Sequence, residues 1–133
     1  MSGAGLTNDV RKSIVNSLAL AFNAADVVSP LQMNPRSKGV LLTIVTANRS
    51  GDTTATIRLR WADPTNGTFV DIPGAITAAI ATNGTTALLA YPGATVVANQ
   101  AISQPVGAGF VAVVDTAGTS GAIDVRIDAQ LLA

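Results

Sequence analysis

Alternation is the clearest regularity in this chain. Near its end, Ile123, Val125, Ile127 and Leu131 alternate with Asp124, Arg126 and Asp128. Residues 54–61, TATIRLRW, do the same, with Ile57, Leu59 and Trp61 on one side and Thr56, Arg58 and Arg60 on the other. A period of two sends successive side chains to opposite faces, so both stretches read as strands with one face buried. Trp61 falls on the apolar side and is expected in the core. Residues 40–47, VLLTIVTA, are rich in β-branched types and lie between Gly39 and the turn RSGD at 49–52. Residues 110–115 form another strand, with Phe110, Ala112 and Val114 on one face and Val111 and Val113 on the other.

Turn signals divide the rest. DPTNG at 63–67 follows the tryptophan strand, and residues 69–72 read as a short return strand stopped by Pro73-Gly74. Residues 75–81 and 85–91 flank Asn83-Gly84, a pair suited to the positive φ angles of a type I′ hairpin turn, and Pro92-Gly93 closes that hairpin. Residues 95–102 read as an apolar strand, and AGTSG at 117–121 turns the chain into the last strand. Turns recur about every 8–12 residues with no amphipathic helix between them, which predicts a sandwich or barrel of antiparallel strands.

The first 38 residues differ. Val10, Ile14, Leu18 and Ala25 follow helical spacing, and Asn8 is placed to cap such a helix. Leu18, Leu20 and Phe22 also alternate, which fits a strand. Residues 27–39 hold two prolines and read as an edge strand or loop. The expected organisation is therefore all-β: an N-terminal arm or short helix over 1–26, then a single antiparallel β-sandwich over 27–133, jelly-roll or immunoglobulin-like.

Composition narrows the chemistry. The 133 residues include no cysteine and no histidine, which removes thiolates, disulfides, the usual general base and the commonest metal ligand. Glutamate is absent too, and all eight acids are aspartates. Net charge is zero, so nothing steers the chain toward nucleic acid. Charged residues make up 12%, about half the usual share. So little surface charge points to a surface covered by copies of the chain or by a partner. No secretory signal is visible, and no apolar run approaches the roughly 20 residues of a membrane helix. A protein made in a cytoplasm, with no membrane partner, is expected.

The remaining constellations are weak. Lys12-Ser13 and Ser37-Lys38 are adjacent pairs rather than a spaced Ser-x-x-Lys, and neighbours on a strand point apart. Asp124 and Asp128 share a face at roughly 13 Å, too far for paired carboxylate catalysis, with Arg126 between them in a solvated charge ladder. Asp63 and Asp71 bracket a hairpin and make at most a weak calcium site. VGAGF at 106–110 lacks dinucleotide-loop spacing. The sequons at Asn48, Asn66 and Asn83 mark exposed turns. These readings predict no enzyme, no cofactor, no metal and no small-molecule substrate. Arg58 and Arg60, on the polar side of the tryptophan strand, are the candidate partner-binding residues, with Arg11 and Lys12 in the N-terminal segment. A sugar-binding sandwich would need exposed aromatics, and the chain has only Trp61, Tyr91 and three phenylalanines.

The turn and strand motifs from about residue 39 to 132 resemble a group of small structural proteins of tailed bacteriophages. The shared features are Ser50-Gly51 in a turn, the T/I/R/L strand, Asp63-Pro64 to Gly67 with Phe69 after it, Tyr91-Pro92-Gly93, and the closing FVAVVDTAGTSGAIDVRIDAQLL. The resemblance implies a virion structural role. Its first expression would be a capsid decoration (cement) protein on the head surface, bound to the major capsid protein and to itself, often as a homotrimer. A tail or neck component is the alternative. The first 20 residues look like an addition to that pattern.

Overall fold

The computed structural model describes residues 11–33, 38–62 and 68–133. Their alternating stretches become ten strands: β1 (Arg11–Ala21), β2 (Val27–Val28), β3 (Gln32–Met33), β4 (Gly39–Ala47), β5 (Thr54–Ala62), β6 (Phe69–Ile76), β7 (Gly84–Ala90), β8 (Ala101–Ile102), β9 (Gly109–Ala117) and β10 (Ala122–Leu132). No helix occurs among the described residues. Two five-stranded sheets face each other. One runs β1-β10-β4-β7-β8, and the other runs β2-β9-β5-β6 with β3 also on β9. All pairings are antiparallel except β7 with β8.

The apolar half of each alternation meets between the sheets. Val40, Leu42 and Ile44 of β4, Leu88 of β7, and Ile123, Val125 and Ile127 of β10 pack against Ile57 and Leu59 of β5 and Phe110, Ala112 and Val114 of β9. Burying one such Leu, Ile or Phe contributes about 1.5–3 kcal/mol, so this layer holds the sandwich together. β9 is buried on both faces. Val111 and Val113 point outward yet are covered, and Arg60 and Arg58 stand directly opposite them. Long arginine stems shield apolar surface in this way.

Residues 11–21 form a strand, so over them the extended reading holds and the helical one fails. β1 pairs with β10 from Arg11 opposite Gln130 to Ala21 opposite Ala122. Register shifts fall between Ser13 and Val15 and between Ser17 and Leu20. The first lets Ile14 and Val15, adjacent in sequence, both turn inward. Ladder hydrogen bonds and these two side chains outweigh the helical spacing. β1 lies at the edge of the first sheet, and its Ile14 and Val15 join the common core. Asn8, Val10 and the 63–67 turn lie outside the described residues.

Three other expectations change. β6 does not stop at Pro73-Gly74 but continues to Ile76 through a wide bulge, where Arg58 pairs with Ile76 and Arg60 with Asp71. Asn83-Gly84 is not a hairpin turn. Residues 77–80 stay bound to β5, through the Thr77 N–H to the Ile57 carbonyl at 2.8 Å and the Ala55–Ile80 bridge, and the chain then crosses to pair β7 with β4. Ala75 and Ile80 are buried there, which ties this stretch to the second sheet. Within 95–102, only Ala101–Ile102 is a strand, because a turn around Asn99 folds Val97 back onto Ala101.

Candidate partner-binding surface

One end of the sandwich is closed by two interlocked turns. The Ser50 N–H donates to the Ala122 carbonyl at 2.9 Å, and the Thr53 hydroxyl to the Ser120 carbonyl at 2.8 Å. Asp52 accepts from the Thr119 N–H, the Thr119 hydroxyl and the Ser120 N–H, at 2.7, 2.7 and 2.9 Å. Those donors, the Thr119 N–H first, favour the charged form and hold the carboxyl down at about 2. Asp124 plays a similar part beside them, accepting from the Ala19 N–H and the Asn48 amide, both at 2.7 Å, and is lowered by the same two groups. The expected ladder with Arg126 is therefore only partial, since Arg126 lies 3.6 Å from Asp128 while Asp124 braces β1 and a turn. Asn48 takes a left-handed conformation there, and Asn83 accepts from the Arg49 N–H. Asn66 and Ser37 lie outside the described residues.

Arg58 and Arg60 lie side by side on the outer face of β5. Each has an acidic neighbour: Arg58 reaches Asp115 of β9 at 3.3 Å and Arg60 reaches Asp71 of β6 at 2.7 Å. Thus Asp71 is an ion-pair partner, while Asp63, its imagined companion at a calcium site, lies outside the described residues. The Arg58 guanidinium is incompletely engaged, because its Nε is buried with no hydrogen-bond partner. A buried donor left unpaired costs about 1–3 kcal/mol, which makes this atom an exception that calls for an explanation.

Next to it the β6 bulge leaves a cleft of about 150 Å³, lined by the charged Arg58 and Asp71 and by Leu59, Ile72, Pro73 and Ile76, among others. Gly74 sits at its rim with φ of 78°. The sequence signal was present, since Pro-Gly inside a strand marks a bulge as readily as a stop. A wider, shallow depression lies at 78–82 and 98–100, with no charged residue in its lining.

Arg11 and Lys12 are not brought to this place. They are exposed at the start of β1, on the edge of the other sheet, opposite Gln130 and Ala129. The four candidate residues therefore form two separate surfaces. Sequence reasoning also missed the exposed apolar side chains: Val28, Leu31, Met33, Phe69, Val70 and Ile76 around the second sheet, and Leu18 on β1 at 73% exposure.

Trp61 is only partly buried, packs against the core and donates its indole N–H to the Pro105 carbonyl at 2.9 Å. The Tyr91 hydroxyl donates to the Ala133 carbonyl at 2.7 Å, and Phe110 is fully buried. Phe69 stands exposed on β6. Among the described residues no three acidic groups converge on a cation site. Comparison with protein-family models, with curated proteins and with solved structures finds no match for this chain.

Proposed function

We propose that the chain is a non-enzymatic structural protein of a tailed-bacteriophage virion, a capsid decoration protein that binds the major capsid protein on the head surface and associates with itself. One observation carries this reading: the surface around β5 and β6 presents exposed apolar side chains beside two paired charges, Arg58 with Asp115 and Arg60 with Asp71. Neutral, partly apolar surfaces of this kind suit burial against another protein. The low overall charge and the turn motifs from Ser50-Gly51 to Tyr91-Pro92-Gly93 support it.

Mass spectrometry and immunogold labelling of purified virions provide the test. The expected result is a peptide signal at a copy number comparable to the capsid protein, with gold on the heads. Gold confined to tails would move the protein to the tail or neck, and absence from particles would remove the virion role.

A further inference from the structure

We propose that Asn83 is a site of spontaneous covalent modification. Its side-chain amide is lost by attack of the Gly84 backbone nitrogen, which leaves a carboxylate or an isoaspartyl linkage where the chain crosses between the sheets. Asn83 and Gly84 are both exposed. Ring closure brings the nitrogen of the next residue onto the Asn Cγ, and a side chain on that residue obstructs the approach. Glycine has none, and no heavy atom beyond its chain neighbours lies within 4 Å of where a Cβ would stand. Gly84 is the first residue of β7 and the end rung of the β4–β7 ladder, opposite Thr46. End rungs open at little cost, so the nitrogen is released while the sandwich stays folded.

The electrophile is prepared from the other side. Asn83 Oδ1 accepts the Arg49 N–H at 3.0 Å. A donor there draws charge from Cγ and supports the oxyanion that forms on attack. The leaving group, Nδ2, makes no hydrogen bond among the described residues, so its departure breaks none. The step needs no reactant but water. The Gly84 nitrogen loses its proton and bonds to Cγ, the bond from Cγ to Nδ2 breaks, and ammonia carries the proton away. Water then opens either carbonyl of the resulting succinimide, giving aspartate or isoaspartate.

Two other asparagines in turns show the opposite arrangement. Asn48 donates its Nδ2 to Asp124 at 2.7 Å, and the nitrogen that would attack it, that of Arg49, is already given to Asn83. The bond that polarises Asn83 thus withholds the nucleophile from Asn48. Asn99 precedes Gln100, whose N–H is held by the Val97 carbonyl at 3.0 Å. Modification of Asn83 adds a negative charge to a chain of zero net charge. It does so next to Thr82, in the lining of the shallow depression that holds no charged residue. An aspartate keeps the Arg49 N–H as its donor. An isoaspartate lengthens the main chain by one atom, just after the Thr82 carbonyl that the Thr46 hydroxyl holds at 2.7 Å, and so displaces the start of β7.

The test is to age the folded protein at mildly alkaline pH and follow its peptides by mass spectrometry. Chymotryptic cuts after Phe69 and Tyr91 separate Asn83 from Asn66, Asn48 and Asn99. The expected result is progressive loss of the Asn83 amide through a succinimide, faster as pH rises, with isoaspartate among the products. Asn48 and Asn99 are expected to keep their amides over the same time. Gly84→Ala is expected to slow the loss at residue 83 and at no other position. Should that variant fail to fold, Asn83→Gln, whose longer side chain would have to close a six-membered ring, is expected to keep its amide. An Asn83 amide that persists as long as those of Asn48 and Asn99 would overturn the proposal. So would loss confined to denatured protein, or loss to aspartate alone with no isoaspartate, which is the mark of direct hydrolysis.

Discussion

The interlocked turns at residues 50–53 and 117–122 and the β5–β6 edge are built from similar turn-forming residues, yet they are opposites. At the turns, three donors converge on one carboxylate and backbone groups pair across the gap. At the edge, a buried donor has no partner, a cleft stands open and apolar side chains face solvent. Local satisfaction of polar groups is what makes a stable, specific structure. A region that withholds it, within a fold that supplies it elsewhere, is the region to examine for binding. The contrast thus separates what holds the sandwich together from what stays unsatisfied at its edge.

The same substitution at the two places should break this symmetry most visibly. Gly121 has φ of 96°, and a Cβ there would run into the Ser50 carbonyl. Backbone strain and the lost turn-to-turn bonds should make Gly121→Ala costly, on the order of 3 kcal/mol. Gly74 also has positive φ, but its Cβ would meet only the side-chain Cγ2 of Ile102, at 3.1 Å. Gly74→Ala should cost about 1 kcal/mol. Urea denaturation of both variants measures the difference. Equal losses would mean that the edge is as tightly determined as the turns.

Acid titration sharpens the comparison at a single residue. The Asp52 carboxyl is held at about 2, below its usual 3.8, so folding favours its ionised form. Its stabilising effect is complete above about pH 4 and is lost as pH falls through 2. Asp52→Asn should therefore be less stable than wild type at pH 6, and the gap should close between pH 4 and 2. Denaturation midpoints of the two proteins across that range provide the measurement. A gap that stays constant would mean that the donors around Asp52 do not favour its charge.

Much of the frame was legible in the sequence, because period-two burial is a local signal. The alternation at Ile57, Leu59, Ile123, Val125 and Ile127 places the core as observed. What misled was information carried by distant partners. Ile14, Leu18 and Ala25 have helical spacing, but only β10 determines that residues 11–21 extend. Asn83-Gly84 has the residues of a hairpin turn, but the binding of 77–80 to β5 sends the chain to the other sheet. Arg58 and Arg60 were visible as outward-facing residues. Their acidic partners, Asp115 at a separation of 57 and Asp71 across a bulge, were not, and neither was the cleft. A bulge depends on how many residues each strand contributes between two pairings, and no window on one strand contains that count.

The smallest effect should come at the atom that most distinguishes the two regions. Arg58→Met keeps an unbranched stem opposite Val113 and removes the guanidinium with its unpaired Nε. What it loses is one 3.3 Å ion pair to Asp115, whose side chain is 43% exposed and recovers hydration when left alone. Partly exposed pairs contribute about 0–1 kcal/mol, and removing a buried unpaired donor acts in the opposite direction. Thermal denaturation of dilute, monomeric protein should therefore place Arg58→Met within about 1 kcal/mol of wild type. If Arg58→Met instead unfolds the monomer, Arg58 belongs to the structural framework, and the edge differs from the turns in degree rather than in purpose.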